Sequence, residues 1–188
     1  MEAPNLTIGL HEWQVCCDAL ITGRLTLTVR KGGIHERRGG LFSPEHERFA
    51  LVPTWLHQDA SRLREPAAMP VGPPAAAGQI PIPGWCAIVQ VWRVTELSRL
   101  LALGEELAWT DAELRARFAY RDQPFVYVLA LRAWRFPAPS IIADEPSYAG
   151  CRSWISLQQP IPAVPAEPAL AEAIFQQRLS AITTTLTA

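Results

Sequence analysis

The only lysine of this chain, Lys31, lies where a strand-like run meets a glycine-rich segment. An ammonium is compact and rotatable whereas a guanidinium is planar, so a lysine kept in an arginine-rich chain marks a place where the two differ. Together with Arg30 it predicts an anion-binding loop, in which loss of the Lys31 ammonium leaves stability almost unchanged. The alternative is a lysine that survived by chance in a solvated turn.

Three histidines, His35, His46 and His57, follow at equal spacing. Glutamates lie beside the first two, at positions 36, 45 and 47. Histidine and carboxylate can bind zinc, but no two of these residues have the short separations that form a chelate. Surface or turn positions therefore explain them better, and neither a metal nor another cofactor is predicted. Glu45 could instead orient His46 as a base, and His57 with Gln58, beside Thr54, could contact the edge of a nucleobase.

Seven tryptophans add stacking surfaces, because aromatic rings beside cations hold unpaired bases. Trp55 and Trp154 have polar neighbours and are the candidates for a cleft, whereas Trp92 and Trp109 are expected in the core. Arg117 is expected on the outer side of a helix, away from the site. The predicted ligand-binding residues are Arg30, Lys31, His35, Glu45, His46, Thr54, Trp55, His57, Gln58 and Trp154.

Motifs of common catalytic sites are missing from the sequence. There is no Gly-x-Ser-x-Gly, no phosphate loop ending in Lys-Ser/Thr, and no Asp…Glu-x-Lys arrangement of restriction nucleases. No catalytic residue is assigned, and binding is favoured over catalysis.

A net charge of -1 excludes a protein that holds nucleic acid by bulk charge, so any contact with a polyanion must be local. No leader and no apolar run long enough to cross a bilayer is present, which predicts a cytoplasmic protein. The four cysteines form no CxxC pair and are expected to be small buried hydrophobes.

Apolar periodicity predicts a mixed α+β chain with a small, largely antiparallel sheet or barrel. A first helix is expected over 10–21, and Thr110 to Glu113 forms a capping box that begins another. Leu170, Ile174, Phe175 and Leu179 form the stripe of a last helix. Strands are expected over 25–30, 49–52, 86–94, 125–134 and 153–157, with Pro53 ending the second.

Proline and alanine mark the expected organisation. Residues 65–84 are interpreted as a long loop or insertion, because their composition favours extended, solvated conformations. Residues 1–159 are predicted to form a single domain, and residues 160–188 a Pro-rich linker with the C-terminal amphipathic helix.

Three stretches of the sequence resemble a bacterial family, domain of unknown function 1802. The first stretch begins at Glu12-Trp13 and ends at Ile34, and the second begins at Glu45-His46 and ends at Gln58. The third is Tyr148-Ala149-Gly150-Cys151-Arg152-Ser153-Trp154. Members of the family occur beside restriction-enzyme-like domains, which implies work on nucleic acid, in restriction or RNA metabolism.

The Gly-x-x-Thr-x-x-x-Arg run from Gly23 and the element order are similar to ASCH domains of the PUA-like superfamily. That resemblance implies a mostly antiparallel pseudo-barrel with flanking helices that binds RNA, modified bases or nucleosides. Some small ASCH proteins hydrolyse acylated cytidine with a lysine, a threonine and a glutamate. Thr28 matches the threonine, Leu25 replaces the lysine, and the glutamate has no assigned match. An apolar Leu25 argues against the same hydrolysis.

Three hypotheses follow. In the leading one, a PUA-like module binds nucleic acid or a nucleotide-like small molecule, with phosphate at Arg30 and Lys31. The second is a nucleoside- or nucleotide-processing enzyme that uses the His/Glu cluster as acid and base. The third is a non-catalytic subunit whose Pro-rich segments contact a partner protein. Convergence of His35, His46 and His57 in one pocket would favour the first two.

Overall fold

A seven-stranded sheet organises the chain, and the computed structural model describes residues 5–31, 42–55, 58–64, 76–150 and 152–188. The strands within these ranges are β1 (Asn5–Trp13), β2 (Leu27–Arg30), β3 (Arg48–Thr54), β4 (Gln79–Val94), β5 (Val126–Ala143), β6 (Trp154–Pro162) and β7 (Glu167–Pro168). The helices are α1 (Gln14–Ile21), α2 (Leu97–Ala102), α3 (Asp111–Ala119) and α4 (Glu172–Thr187).

The strand order is β2-β5-β4-β3-β1-β6, and β7 pairs with β5. β1 and β3 are parallel, and the other described pairs are antiparallel. The predicted mixed α+β class is confirmed, because β2, β4 and β5 are neighbours in one mostly antiparallel sheet. α1 packs against this sheet through β3, β4 and β5.

The sheet curls until β2 approaches β1, although three strands separate them in the hydrogen-bonding order. Thr28 and Arg30 of β2 both contact the carboxylate of Glu12 on β1. Side chains therefore close a loose pseudo-barrel where no ladder of backbone hydrogen bonds joins the two strands. We call this line of contact the seam.

Two apolar clusters stabilise the described part of the chain. The larger one lies under α1 and the centre of the sheet, and includes Leu20, Phe49 and Leu129; α4 adds Ile182 and Leu186 to it. The smaller one includes Val52 and Ile82 and joins the outer parts of β4 and β5 to β1, β3 and β6. Among the described helices, none is long and apolar enough to cross a membrane.

The first helix starts later than the sequence predicts. Residues up to Trp13 belong to β1, and α1 covers only Gln14–Ile21. Apolar residues do recur at three- and four-residue steps from Leu10 onward. The part of this stretch before α1 is nevertheless a strand, because β1 pairs with β3 on one side and with β6 on the other. Tertiary pairing overrides a local helical pattern in such a segment.

Prolines interrupt the strands less than the sequence predicts. β3 continues through Pro53 to Thr54, where β1 is its only strand partner among the described residues, and a proline without an N–H is tolerated at such an edge. β4 begins at Gln79, inside the range 65–84 interpreted as loop, and includes Pro81 and Pro83. Pro168 lies in β7, and α4 begins at Glu172.

Three cysteines, Cys16, Cys17 and Cys86, are free and buried. Burial in apolar surroundings raises the pKa of each thiol. They fill space in the core, as predicted. Cys151 lies outside the described residues.

Candidate functional site

A cavity of about 290 Å³ lies between the end of β2, α3 and the start of β6. Four of the residues that line it are cations, and one is a carboxylate. The lining residues are Arg30, Lys31, Arg62, Glu113, Ala116, Arg117, Tyr120 and Ser153. We call this the basic cavity.

Glu113 holds two of the arginines in place. Its Oε2 accepts from Nε of Arg62 at 2.8 Å, and its Oε1 accepts from Nε of Arg117 at 2.7 Å. Each arginine is bound through Nε alone, so its terminal Nη groups have no hydrogen-bond partner within the described ranges. Both guanidinium groups are therefore oriented while their outer edges stay available as donors.

The start of α3 and a short turn position Glu113 and the two arginines that it binds. The Thr110 hydroxyl accepts from the Glu113 N–H at 3.4 Å, which confirms the predicted N-cap. The Glu113 carboxylate turns to the arginines instead of completing the capping box. An antiparallel bridge between Leu63 and Trp109 brings Arg62, in the turn Ala60–Arg62, beside this helix end.

Two tryptophans lie under the arginine pair. Cζ of Arg117 is 3.7 Å from the ring centre of Trp109, and Cζ of Arg62 is 5.9 Å from that of Trp13. The two indoles meet edge to face, with ring centres 4.8 Å apart. Burial lowers the pKa of Arg117, and the Glu113 carboxylate opposes that shift. The planar contacts limit the directions in which the guanidinium groups can turn.

Arg30 spans the seam. Its Nη2 donates to the His11 carbonyl at 2.7 Å and to Oε2 of Glu12 at 3.1 Å. Its Nε is buried and has no hydrogen-bond partner in the part of the chain that the structure describes. A buried donor without an acceptor costs free energy. Arg30 thus lines the basic cavity with a side chain that contacts across the seam hold in place.

Lys31 lines the cavity, but its ammonium is not presented by a solvated loop. The residue is 4 % exposed, and Nζ donates to the carbonyls of Phe125, at 2.5 Å, and of Gln123. Nζ also lies 4.1 Å from the ring centre of Phe125. Burial lowers the pKa of Lys31, and the charge of Arg93 lowers it further. The lysine therefore ties the end of β2 to the segment that precedes β5.

His46 and Trp154, both predicted as ligand residues, lie against each other with ring centres 5.0 Å apart. Nε1 of Trp154 donates to the Ser43 carbonyl at 2.8 Å, and Phe42 packs on the same indole. Ser153, the residue before Trp154, lines the basic cavity. The segment 42–46 thus packs against the start of β6.

The other predicted ligand residues are dispersed. Thr54 donates to the Glu12 carbonyl at 3.2 Å, Trp55 packs against the smaller apolar cluster, and Glu45 is exposed. The amide of Gln58 is buried, with no hydrogen-bond partner among the described residues. His35 and His57 lie outside those residues, so the predicted convergence of the three histidines stays a prediction. The described residues contain no group of three or more metal-ligating side chains.

Of the lining residues, Arg30 and Lys31 are among the ligand residues that the sequence predicts, whereas Arg117 lines a site from which the helical pattern excludes it. The sequence marks Glu113 only through its capping box and Ser153 only through the motif that ends at Trp154. Arg62 and Tyr120 carry no local pattern that separates them from ordinary surface residues. Thr28 contacts a glutamate, Glu12, whose Oε2 accepts from the threonine hydroxyl at 2.8 Å. Leu25 is buried in the core.

Solved structures with similarity to this chain are ASCH proteins from Zymomonas mobilis. One shares 12% identity and a TM-score of 0.46, with 93% of this chain and 93% of that chain covered. A tyrosine-to-phenylalanine variant of that protein shares 12% identity and a TM-score of 0.45, with 93% of this chain and 96% of that chain covered. A serine-to-alanine variant shares 11% identity and a TM-score of 0.46, with 93% of this chain and 94% of that chain covered. Likeness at this level carries no ligand or activity over to this chain.

No curated protein matches the sequence significantly. The model of one family, described as domain of unknown function (DUF1802), matches residues 9–181. That span contains the three motifs on which the resemblance was based and also the residues that line the basic cavity. The chain therefore belongs to the DUF1802 family.

Proposed function

We propose that the basic cavity binds a phosphate of a nucleic acid or of a nucleotide-like ligand. The observation that carries this proposal is the lining itself, in which four cations face one carboxylate while the whole chain has a net charge of -1. A local excess of positive charge in a concave site attracts anions even when the protein as a whole is nearly neutral.

Arg62 and Arg117 are the residues proposed to hold the phosphate. Glu113 and the two indoles already fix their guanidinium groups, so little side-chain entropy remains to be lost when an anion binds. Phosphate oxygens accept pairs of N–H donors from arginine in well-defined geometry. Arg30 adds its positive charge to the lining, and Lys31 keeps the cavity wall in place.

Tyr120 supports a ligand with a base. It lies at the end of α3, lines the cavity and is 39% exposed. An exposed ring next to phosphate-binding cations is how unpaired bases are stacked, without dependence on the sequence. His46 and Trp154 contact each other, and their roles in binding stay predictions. Roles in binding for Glu45, Thr54, Trp55 and Gln58, and for His35 and His57, stay predictions.

The test is a binding titration with labelled single-stranded RNA, single-stranded DNA and a nucleoside monophosphate, at two salt concentrations. We expect Arg117→Ala to weaken binding about tenfold or more, as loss of a charge-assisted contact does. Arg117→Lys should restore part of the affinity, because it keeps the charge but loses the planar donor edge. Arg62→Ala is a second variant at a more exposed position.

Arg115→Ala is the matched control, since Arg115 is an exposed arginine on the same helix and does not line the cavity. Equal binding by Arg115→Ala, Arg117→Ala and Arg62→Ala would contradict the proposal. A preference for RNA over DNA would support a role in RNA metabolism, and the reverse preference would support restriction.

A further inference from the structure

A row of three residues crosses the sheet beside the basic cavity. Tyr127 of β5 pairs with Arg30 of β2 on one side and with Arg93 of β4 on the other. Residues directly opposite each other in antiparallel strands project from the same face. Two arginines therefore flank a tyrosine on one face, and their Cα atoms are about 10 Å apart, or two strand spacings.

Phe125 connects Arg93 to the cavity. It precedes Tyr127 by two residues, and the two rings meet edge to face at 5.6 Å. Cζ of Arg93 lies 4.0 Å from the centre of the Phe125 ring, and Nζ of Lys31 lies 4.1 Å from the same point. Since Lys31 lines the cavity, Arg93 lies beside one of the lining residues without lining the cavity itself.

Lys31 and Arg93 differ from the two arginines bound to Glu113 in that no described carboxylate balances their charge. Arg62 and Arg117 share the Glu113 carboxylate, and Arg30 has Glu12. Neither Arg93 nor Lys31 has a carboxylate partner among the described residues. Arg93 is exposed, and its charge contributes to the lowered pKa of Lys31. Two like charges that repel each other beside one ring would both be stabilised by a bound anion.

We infer that Arg93 forms a second phosphate subsite outside the basic cavity, and that the ligand is an oligonucleotide strand rather than a free nucleotide. This inference rests on the proposed function, because it assumes that the cavity holds the first phosphate. Arg93 reaches the next phosphate of the same strand. Tyr127 is half-buried between Phe42 and Phe125, so it sets the distance between the flanking arginines instead of stacking a base.

The experiment compares 5′-phosphorylated oligouridylates and oligothymidylates of one to four nucleotides, titrated against the whole chain. For the wild type we expect a gain of about tenfold in affinity when the second phosphate is added. Arg93→Ala should keep the affinity for the mononucleotide within twofold and lose that gain. Its salt dependence for the longer strands should fall by about 0.7 in logarithmic slope, the value for one single-strand phosphate contact.

Arg48→Ala is the matched control. Arg48 is also an exposed strand arginine, but it pairs with Ala87, well before Arg93 on β4. It should keep the gain with chain length. Arg93→Lys should keep part of it, because a positive charge remains.

The possible failures are distinguishable. Affinity independent of chain length in the wild type, or identical behaviour of Arg93→Ala and Arg48→Ala, would overturn the second subsite. If Arg117→Ala still weakens mononucleotide binding in that case, the proposed function stands. A wild-type protein that binds none of these strands overturns both.

Discussion

The Thr28 hydroxyl donates a 2.8 Å hydrogen bond to the Glu12 carboxylate across the seam of the sheet. The other carboxylate oxygen accepts from the backbone N–H of Trp13 at 2.9 Å, and Arg30 binds the same oxygen as Thr28. Glu12 and Thr28 are both buried. One carboxylate therefore joins strands that are not paired, and it fixes the position of Arg30 at the basic cavity.

Thr28→Val tests this contact, since it keeps the shape of the side chain and removes the donor. We expect the free energy of unfolding to fall by about 1–3 kcal/mol, because a buried charged acceptor loses a partner. Urea denaturation measures the change. Thr26→Val is the control: Thr26 is equally buried, but its hydroxyl has no partner among the described residues. It should be neutral or stabilising, and equal losses in both variants would contradict the role of Thr28.

Lys31→Met should destabilise the protein, in contrast to the expectation from the sequence. The two carbonyls that accept from Nζ, of Gln123 and Phe125, would lose a donor, which costs about 1–3 kcal/mol. Thermal and urea unfolding of the variant give the value. A change below about 0.5 kcal/mol, as is usual for a surface substitution, would show that the ammonium lies in solvent.

The pH dependence of stability should also report on Lys31. Its folded pKa lies below the ordinary value of 10.5, first because of burial and then because of Arg93. Between the lowered pKa and 10.5, the unfolded chain binds more protons than the folded one, so this lysine makes stability rise with pH. Lys31→Met should lack that rise. Parallel unfolding curves of both proteins over this range would contradict the lowered pKa.

His11 predicts a loss of stability in acid. Burial lowers its pKa below 6.5, and Nδ1 lies 3.1 Å from the Arg152 carbonyl. As the pH falls from 6.5 to the lowered value, the unfolded chain takes up a proton that the folded protein excludes, so stability declines. His11→Gln should reduce this decline, as measured by urea unfolding between pH 7 and pH 5. An unchanged decline would assign it to other groups.

Glu113→Gln should lower the free energy of unfolding by about 2 kcal/mol, because two charge-assisted hydrogen bonds to Arg62 and Arg117 are weakened at a buried carboxylate. Asp111→Asn is the control. Asp111 is 55% exposed and pairs with Arg64, between the same two segments. An exposed pair contributes under about 1 kcal/mol. If Asp111→Asn cost as much as Glu113→Gln, the burial of Glu113 would not explain its effect.

Local patterns in the sequence predicted several of the elements and indicated the family. Alternation of apolar and polar residues predicted β2, a run of aromatic and β-branched residues predicted β5, and Thr110 marked the start of α3, because these patterns act between residues a few positions apart. The ordered motifs around Trp13, His46 and Trp154 indicated the family whose model matches residues 9–181. Arg30 and Lys31, the residues proposed first, do line the basic cavity.

Several charged contacts at the basic cavity join residues that are distant in sequence. Arg62 and Glu113 are 51 positions apart, and Lys31 binds a carbonyl 92 positions away, so no local spacing encodes either contact. Arg117 does have a local partner, because Glu113 lies four positions before it on α3, but its contact with Trp109 and its place in the cavity lining depend on tertiary structure. The curl of the sheet brought β2 to β1 and made Glu12 the link across the seam. A one-dimensional pattern shows which face of an element is apolar, but the partner of a buried charge depends on how the elements pack.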